Sequence, residues 1–367
     1  MPPTTGGVTT FMLNLMASQL AEQFSFMPFS TSRPPKKNVT NNYGYAAMFR
    51  GGTRRVLLGG VITLWNLGRF PFVVASTRAD IVQIQASDYQ AFWESAIYAA
   101  MARLLGRVVL LRIGGAFDQF HGSAPRFARR LIASTLRLPQ GVIAQSEFAK
   151  HYIVSAGRRS KIAVVPNWTS RPVFDGPRRA NELPVCLFVA GSDAHRKGVE
   201  EVLAAAARLQ KQGCTARLHL LALSPALMAR VSELGLSNVV AKEGPVPHAE
   251  LLDIMRGSEI FLLPSHGEGF PNSLIEAMAA GMSPIATPVG AVPEIASASG
   301  VVLVPVRDAA ALADAISRLA GDPDLRRTVS ANARETVRQR YVPQVALSAL
   351  GDLYQAELSR FGAEPRR

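Results

Sequence analysis

Short apolar runs with β-strand character alternate with helical stretches along nearly the whole chain of 367 residues. This alternation is typical of parallel sheets whose strands are joined by helices. In the second half, strands are predicted at residues 185–190, 218–223, 238–241, 259–263, 284–287 and 301–304. Helices are predicted between them at residues 199–210, 248–256, 273–280 and 309–319. The pattern indicates a doubly wound α/β domain.

The first half repeats the scheme, and a polar segment rich in Pro and Gly at residues 171–184 reads as a linker. Strands are predicted here at residues 24–29, 81–84, 108–111, 142–145 and 162–165. We therefore expect two Rossmann-like domains, residues 1–175 and 176–342, that face each other across a cleft. A C-terminal helix within residues 343–367 is expected to pack back on the first domain.

The N-terminus departs from this scheme. Gly6-Gly7 is typical of a turn into a helix, here residues 8–20, and a glycine pair lets a ligand approach the backbone. A doubly wound domain normally opens with a buried strand, yet the five residues before Gly6 do not suit one. We expect the chain to be short at its N-terminus; the alternative is that Gly6-Gly7 belongs to a loop in a disordered tail.

Positive charge is concentrated in the first half. Residues 1–180 hold 22 Lys/Arg and 7 Asp/Glu, whereas residues 181–367 hold 18 and 20. A basic half favours a polyanionic partner, and without a recognisable nucleic-acid module an anionic membrane surface is the better interpretation. A generally Arg-rich proteome is the alternative. Cys186 and Cys214 lie in apolar surroundings and are expected to be reduced.

An apolar stretch at residues 53–69 begins with Arg54 and Arg55 and ends with Arg69. No window approaches the roughly 18 uninterrupted apolar residues of a membrane span. The stretch is therefore interpreted as too short to cross a bilayer but suited to a helix that lies in its interface. Further charge comes from Arg33, Lys36, Lys37 and Arg50. A core helix with exposed basic ends is the alternative.

Two glutamates, Glu268 and Glu276, lie eight positions apart in a predicted strand-loop-helix corner. Glu268 lies in the loop and Glu276 lies in the helix. The strand ends at Leu263, and the helix begins at Pro271 or Asn272 and stops at Gly281. The helix N-terminus lies at the carboxyl edge of the sheet, where free N–H groups of Asn272, Ser273 and Leu274 would face an anion. Glu276 could accept hydrogen bonds from vicinal hydroxyls, or could close a capping box with Ser273.

The stretch E-G-F-P-N-S-L-I-E-A-M-A-A-G (268–281), followed by P-V-G-A-V-P-E-I (288–295), resembles the E-x7-E motif of retaining glycosyltransferases of family four, which have the GT-B fold. Four further segments resemble that family: F-V-A-G-S-D-A-H-R-K-G-V-E (188–200), E-G-P-V-P (243–247), F-L-L-P-S (261–265) and V-V-P-N-W (164–168). So does the opening G-G-V-T-T-F-M-L-N-L (6–15). The resemblance covers nearly the whole chain.

The resemblance implies a role for each matching residue. Glu268 would lie beside the donor sugar, Glu276 would hold the ribose hydroxyls and Lys197 would meet the diphosphate. The remaining implied donor-binding positions are the loop glycines Gly6 and Gly7 and the backbone of Gly269, Phe270, Pro271, Asn272, Ser273 and Leu274. A cation at the diphosphate is needed because the leaving group accumulates negative charge and the family uses no metal.

Two positions depart from the family pattern. Ser192 stands where the family usually has an arginine, and Arg196 either replaces it or is a solvated surface residue. Ile113 stands where the family often has a histidine facing the sugar, with Arg112 and Asp118 as the nearest polar groups.

The resemblance implies a retaining, metal-independent glycosyltransferase without a cofactor, which takes a hexose from a UDP- or GDP-linked donor. The expected acceptor is a lipid-linked or other saccharide in bacterial surface polysaccharide biosynthesis, and the expected location is cytoplasmic, peripheral on the inner face of the membrane. Nucleic acid is not an expected partner. The alternatives are a catalytically weak GT-B binding or scaffold protein and a GT-B nucleotide-sugar epimerase.

Overall fold

The computed structural model describes residues 7–31, 53–87, 89–159, 161–169, 173–174 and 183–362, without the side chains of residues 7–10, 53–56 and 192. The chain divides into two compact units. Unit 1 comprises Met1–Asn167 and Pro343–Arg367, and unit 2 comprises Trp168–Val342. The division thus falls after Asn167 rather than at the expected residue 175, and most of the expected linker lies outside the described residues.

Unit 1 is a parallel sheet of four strands in the order β1-β2-β3-β4 with helices around it. Its elements are α1 (Gly7–Met16), α2 (Leu20–Gln23), α3 (Thr53–Thr77), β1 (Ile81–Ala86), α4 (Tyr89–Leu104), β2 (Val108–Ile113), α5 (Phe117–Ser123), α6 (Arg126–Arg137), β3 (Gly141–Ala144), α7 (Glu147–Ser155), β4 (Ile162–Val164) and the C-terminal helix α15 (Pro343–Arg360). The hydroxyl of Tyr354 in α15 donates a 2.6 Å hydrogen bond to Gln83 Oε1 in β1. This bond fixes the C-terminal helix against the sheet of unit 1.

Unit 2 is a parallel sheet of six strands in the order β10-β9-β8-β5-β6-β7. Its elements are β5 (Val185–Val189), α8 (Val199–Lys211), β6 (Arg217–Leu223), α9 (Pro225–Glu233), β7 (Val239–Glu243), α10 (His248–Arg256), β8 (Ile260–Leu263), α11 (Asn272–Ala279), β9 (Ser283–Ala286), α12 (Val292–Ser299), β10 (Val302–Leu303), α13 (Ala309–Gly321) and α14 (Pro323–Arg340). Strand order reverses between β5 and β8. Doubly wound sheets bind ligands outside the carboxyl ends of the strands at such a point.

The predicted strand at residues 24–29 is wrong. Residues 25–31 have no regular secondary structure, and aromatic rings at the two ends of the predicted strand pack on helices that are distant in sequence. Phe24 lies edge-on to Tyr354 with ring centroids 5.2 Å apart, and Phe29 lies 5.4 Å from Phe70. The predicted helix at residues 8–20 is also broken: α1 ends at Met16 and α2 begins at Leu20. Met1–Gly6 lie outside the described residues, so the missing first strand stays a prediction.

The apolar stretch at residues 53–69 is longer than the sequence indicated. It forms α3, a helix of 25 residues that continues through Pro71 to Thr77. Leu57–Thr77 has a mean hydropathy of 1.4 and is by length and composition able to cross a membrane, so the expectation that it is too short is wrong. The expected free thiols are confirmed: Cys186 is buried and Cys214 is half-buried.

Gly198 allows a close backbone approach at the carboxyl edge of unit 2. It precedes α8 with φ of +80°, and a Cβ atom there would lie 2.1 Å from the carbonyl oxygen of Pro264, just after β8. Gly198 therefore lets the segment after β5 lie directly against the loop after β8.

We expect Gly198→Ala to lower the free energy of unfolding more than Gly235→Ala, in urea titrations followed by circular dichroism. Both glycines have positive φ, but a Cβ atom at Gly235 would meet nothing within 4 Å. The backbone conformation costs either alanine about 1–2 kcal/mol, and the contact with Pro264 adds about 1–3 kcal/mol for Gly198→Ala. Equal losses in the two variants would contradict this account of the packing.

Candidate active site

The corner that follows β8 has the predicted form. The strand ends at Leu263, Pro271 is the N-cap of α11, and the chain leaves the helix through Gly281 with φ of +76°. These observations confirm the predicted strand, loop and helix, and they place residues 264–271 at the carboxyl edge of the sheet.

Glu268 is the buried centre of this loop, with 8% of the residue exposed. Its Oε1 atom accepts a 2.8 Å hydrogen bond from the hydroxyl of Ser265 and lies 3.4 Å from Lys197 Nζ. Its Oε2 atom lies 3.4 Å from Arg196 Nη1. Both cations come from the segment after β5, so the two loops at the reversal of strand order meet on one carboxylate.

Glu268 remains ionised in this environment. Burial alone would raise its pKa, but the charges of Lys197 and Arg196 and the hydrogen bond from Ser265 outweigh that effect and lower the pKa below its ordinary value. A buried carboxylate is tolerated only when it is paired in this way.

Arg196 is held in place on three sides. Its Nε atom donates to Asp193 Oδ2 at 2.9 Å, its Nη1 atom donates to the carbonyl oxygen of Gly267, and the same group faces Glu268. Only 20% of the side chain is exposed. The interpretation of Arg196 as a solvated surface residue is therefore wrong.

Glu276 does not close a capping box. Ser273 lies inside α11 rather than at its N-cap, and among the described residues the carboxylate of Glu276 makes no hydrogen bond to the helix backbone. Instead, Oε1 of Glu276 lies 3.0 Å from Nε2 of His248, the first residue of α10. The side chain of Glu276 is 17% exposed and that of His248 is 51% exposed, so the pair is accessible from solvent.

The residues between the glutamates can act on a ligand mainly through their backbone. Phe270 and Leu274 are buried in the core of unit 2, and Phe270 packs on Tyr341 with ring centroids 5.6 Å apart. The N–H of Leu274 donates to the carbonyl oxygen of Pro271 at 3.1 Å, which removes it from the expected free donors. Asn272 and Ser273 are half-buried at the first turn, as a ligand-facing helix start requires.

Gly290 lets the segment after β9 lie directly against the loop that carries Glu268. A Cβ atom there would lie 1.9 Å from the carbonyl oxygen of Glu268, and the N–H of Ala291 donates to the carbonyl oxygen of Gly269 at 3.0 Å. The segment after β9 thus fixes the backbone at Glu268 and Gly269.

Three polar residues of the site were not singled out from the sequence. Ser265 and Asp193 each precede their partner by three residues, a spacing that could have indicated local side-chain pairing. His248 lies 28 residues before Glu276, and only its place at the start of a helix after a parallel strand pointed to this edge.

The residues of unit 1 that were expected to face the donor give less evidence for a ligand site. Gly6 lies outside the described residues, and Gly7 begins α1. Ile113 is 2% exposed at the end of β2. Arg112 is buried with its guanidinium carbon 3.8 Å from the ring centroid of Phe11, and Nη2 donates to Asn167 Oδ1 at 2.6 Å.

Burial lowers the pKa of Arg112 to about 9. Its contacts make it a core residue rather than one that faces a sugar. Within the described ranges, no group of three or more His, Cys, Asp and Glu side chains is arranged to hold a metal ion.

Two family models match successive parts of the chain. Residues 5–170 match the model described as Glycosyltransferase Family 4, and residues 183–322 match the model described as Glycosyl transferases group 1. A relative from Escherichia coli, described as a putative colanic acid biosynthesis glycosyltransferase WcaL, is 31% identical over 216 residues, which are 54% of this chain and 52% of that protein. The chain spans about half the length of the relatives that it matches.

Solved structures show the same fold. Sucrose-phosphate synthase from Thermosynechococcus elongatus matches with a TM-score of 0.68 and 22% identity, over 82% of this chain and 79% of that one. HepE from Anabaena, solved in complex with UDP-glucose, matches with a TM-score of 0.63 and 16% identity, over 79% and 82%. The two parallel α/β sheets and these neighbours show that the chain has the GT-B fold, and its two parts match two family models of glycosyltransferases.

Proposed function

We propose that this protein is a retaining, metal-independent glycosyltransferase that moves a hexose from a UDP- or GDP-linked donor to a hydroxyl acceptor. The observation that carries the proposal is the pairing of Lys197 and Arg196 with the buried Glu268, where strand order reverses in unit 2. Such a group of two cations and one carboxylate suits a substrate that separates negative charge from positive charge during reaction.

Lys197 and Arg196 would stabilise the leaving group. Cleavage of the bond between sugar and diphosphate places negative charge on the phosphate oxygens, and preorganised cations lower the energy of that state. Without donor, the carboxylates of Glu268 and Asp193 balance the charges of Lys197 and Arg196; with donor, the diphosphate becomes a further anion beside these two cations. Arg196 thereby supplies the charge that the family usually takes from an arginine at the position of Ser192, and no metal ion is required.

Glu268 would act on the sugar side of the same bond. An ionised carboxylate stabilises the positive charge that develops at the anomeric carbon and can accept hydrogen bonds from sugar hydroxyls. The configuration at the anomeric carbon is retained if the acceptor attacks on the same face from which the leaving group departs. A donor phosphate oxygen would then take the acceptor proton. This route needs no side-chain nucleophile.

Glu276 would hold the ribose through its carboxylate. His248 occupies one carboxylate oxygen, which leaves the other for vicinal hydroxyls. The neighbour HepE was solved with UDP-glucose, which supports a UDP-linked sugar as the first donor to test.

The acceptor that we propose is a lipid-linked saccharide of bacterial surface polysaccharide biosynthesis. The colanic acid description of the relative WcaL and the basic first half of the chain support it. We accordingly propose a cytoplasmic enzyme, peripheral on the inner face of the membrane, that uses no cofactor and binds no nucleic acid.

Glu276→Gln should weaken nucleotide binding by about 1.5–3 kcal/mol, because a neutral amide is a poorer acceptor for ribose hydroxyls. Isothermal titration with UDP and GDP measures the loss. Glu250→Gln is the matched control, since Glu250 lies on α10 and pairs with the exposed Lys242. Normal affinity in Glu276→Gln, with wild-type protein that binds the nucleotide, would remove Glu276 from the donor site.

Lys197→Ala and Arg196→Ala should each reduce turnover about 10²–10³-fold, as does the loss of one preorganised charge-stabilising group. Both cations lie 3.4 Å from Glu268, so we expect comparable losses. Release of UDP or GDP from a panel of nucleotide sugars is the assay, and Arg208→Ala on the exposed part of α8 is the control.

Near-normal activity of both variants would contradict the diphosphate assignment, and a much larger loss in Lys197→Ala would mean that Arg196 has not taken the missing arginine's role. Wild-type protein that turns over no nucleotide sugar with any saccharide or lipid acceptor would contradict the proposed function itself.

Glu268→Gln should destabilise unit 2 at neutral pH, and the difference from wild type should shrink in acid. The folded-state pKa of Glu268 is lowered, so its ionised form stabilises the fold above the unfolded-state pKa of about 4.3. That contribution is lost as the pH falls through the folded-state pKa.

Urea titrations of both proteins between neutral and acidic pH test this expectation. Glu335→Gln is the control, because Glu335 makes an exposed pair with Arg338. A difference between wild type and Glu268→Gln that does not change with pH would show that Glu268 is not ionised in the fold.

A further inference from the structure

Helix α3 has an inner face that packs on the rest of unit 1. Asn66, Phe70 and Val74 are each 4–6% exposed. The ring of Phe70 lies 4.8 Å from that of Tyr98 in α4 and 5.4 Å from that of Phe29. These contacts fix the orientation of the helix about its own axis.

The opposite face of α3 is also apolar, and it is exposed. At about 100° per residue, its large side chains fall within an arc of about 120° centred opposite the buried face. Six large apolar residues form this outer stripe, each 55–76% exposed: Leu57, Leu58, Val61, Leu64, Trp65 and Phe72. A contiguous exposed apolar patch of this kind marks an interaction surface.

The charge around the outer stripe selects the partner. Residues 23–79 contain eight Lys/Arg and no Asp or Glu. Arg69 is exposed beside the stripe, with its guanidinium carbon 5.1 Å from the ring centroid of Phe29. A surface that combines apolar side chains, a tryptophan and adjacent positive charge is complementary to the interface of an anionic bilayer.

The packing of α3 also decides how it would meet a bilayer. Its apolar part, Leu57–Thr77, is about 31 Å long, which matches a hydrocarbon core of about 30 Å. However, Phe70 and Val74 on its inner face are part of the core of unit 1. Crossing the bilayer would carry the attached sheet into lipid or strip α3 from it, whereas lying in the plane of the interface keeps both faces buried.

We propose that the outer stripe of α3 inserts into the interface of a membrane that contains anionic lipid. The stripe lies below the headgroups, Arg69 beside it meets the lipid phosphates, and the rest of unit 1 stays in water. This surface is separate from the residues that bind the donor, so membrane binding does not depend on the proposed catalytic role of Glu268 or Lys197.

The test is sedimentation of the full chain with phosphatidylcholine vesicles, with and without phosphatidylglycerol. Leu64→Ser combined with Trp65→Ser should weaken binding to the anionic vesicles about tenfold or more, because two large side chains lose their burial in lipid. Leu104→Ser is the matched control: Leu104 is 88% exposed at the end of α4, outside the stripe, and its loss should leave binding unchanged.

Binding should require phosphatidylglycerol and weaken at high salt, since exposed charges are screened over about 8 Å at physiological ionic strength. Unchanged binding of the double variant, with wild-type circular dichroism, would overturn the proposal. So would salt-independent binding to neutral vesicles. A wild-type dimer that the double variant converts to a monomer, without vesicle binding by either, would assign the stripe to a second copy of the chain instead.

Discussion

The buried carboxylate of Glu268 is the constraint on which the site depends. An isolated carboxylate inside unit 2 would cost several kcal/mol of desolvation, and in this fold Lys197, Arg196 and Ser265 offset that cost. Lys197 and Arg196 also hold the loop after β5 against the loop after β8. Folding therefore builds a preorganised charged centre at the point of the sheet where strand order reverses.

The site also depends on two close approaches between backbone segments around Glu268. Gly198 lets the segment after β5 lie against Pro264, and Gly290 lets the segment after β9 lie against Glu268. A Cβ atom at either glycine would lie within 2.1 Å of a backbone carbonyl oxygen of the loop after β8, so the backbone would have to shift. The acidic and basic residues alone would not form the site without these two close approaches.

The sequence predicted unit 2 well because its strands are short, buried runs bounded by turns, and because its loops carry an ordered series of motifs. It predicted unit 1 less well. The apolar run at residues 24–29 is interpreted as a strand, yet Phe24 and Phe29 pack on Tyr354 and Phe70, contacts that no local pattern shows. Pro71 reads as a helix end, but α3 continues past it to Thr77.

The site itself shows the same limit. The two glutamates, Lys197 and the start of α11 follow from motif and topology. The capping-box alternative for Glu276 could be rejected only once the start of α11 at Asn272 and the contact with His248, on a different helix, were known. Likewise, the pairing of Arg196 with Asp193 and Glu268 depends on how two loops meet. The distance between those loops cannot be inferred from the residues next to Arg196 in the sequence.

A crystal structure of the protein with bound UDP tests the central claim most directly. The account predicts diphosphate oxygens about 3 Å from Lys197 Nζ and from the guanidinium of Arg196, with the ribose hydroxyls on Glu276. Diphosphate bound away from Lys197, with Glu268 still closed on both cations, would contradict it.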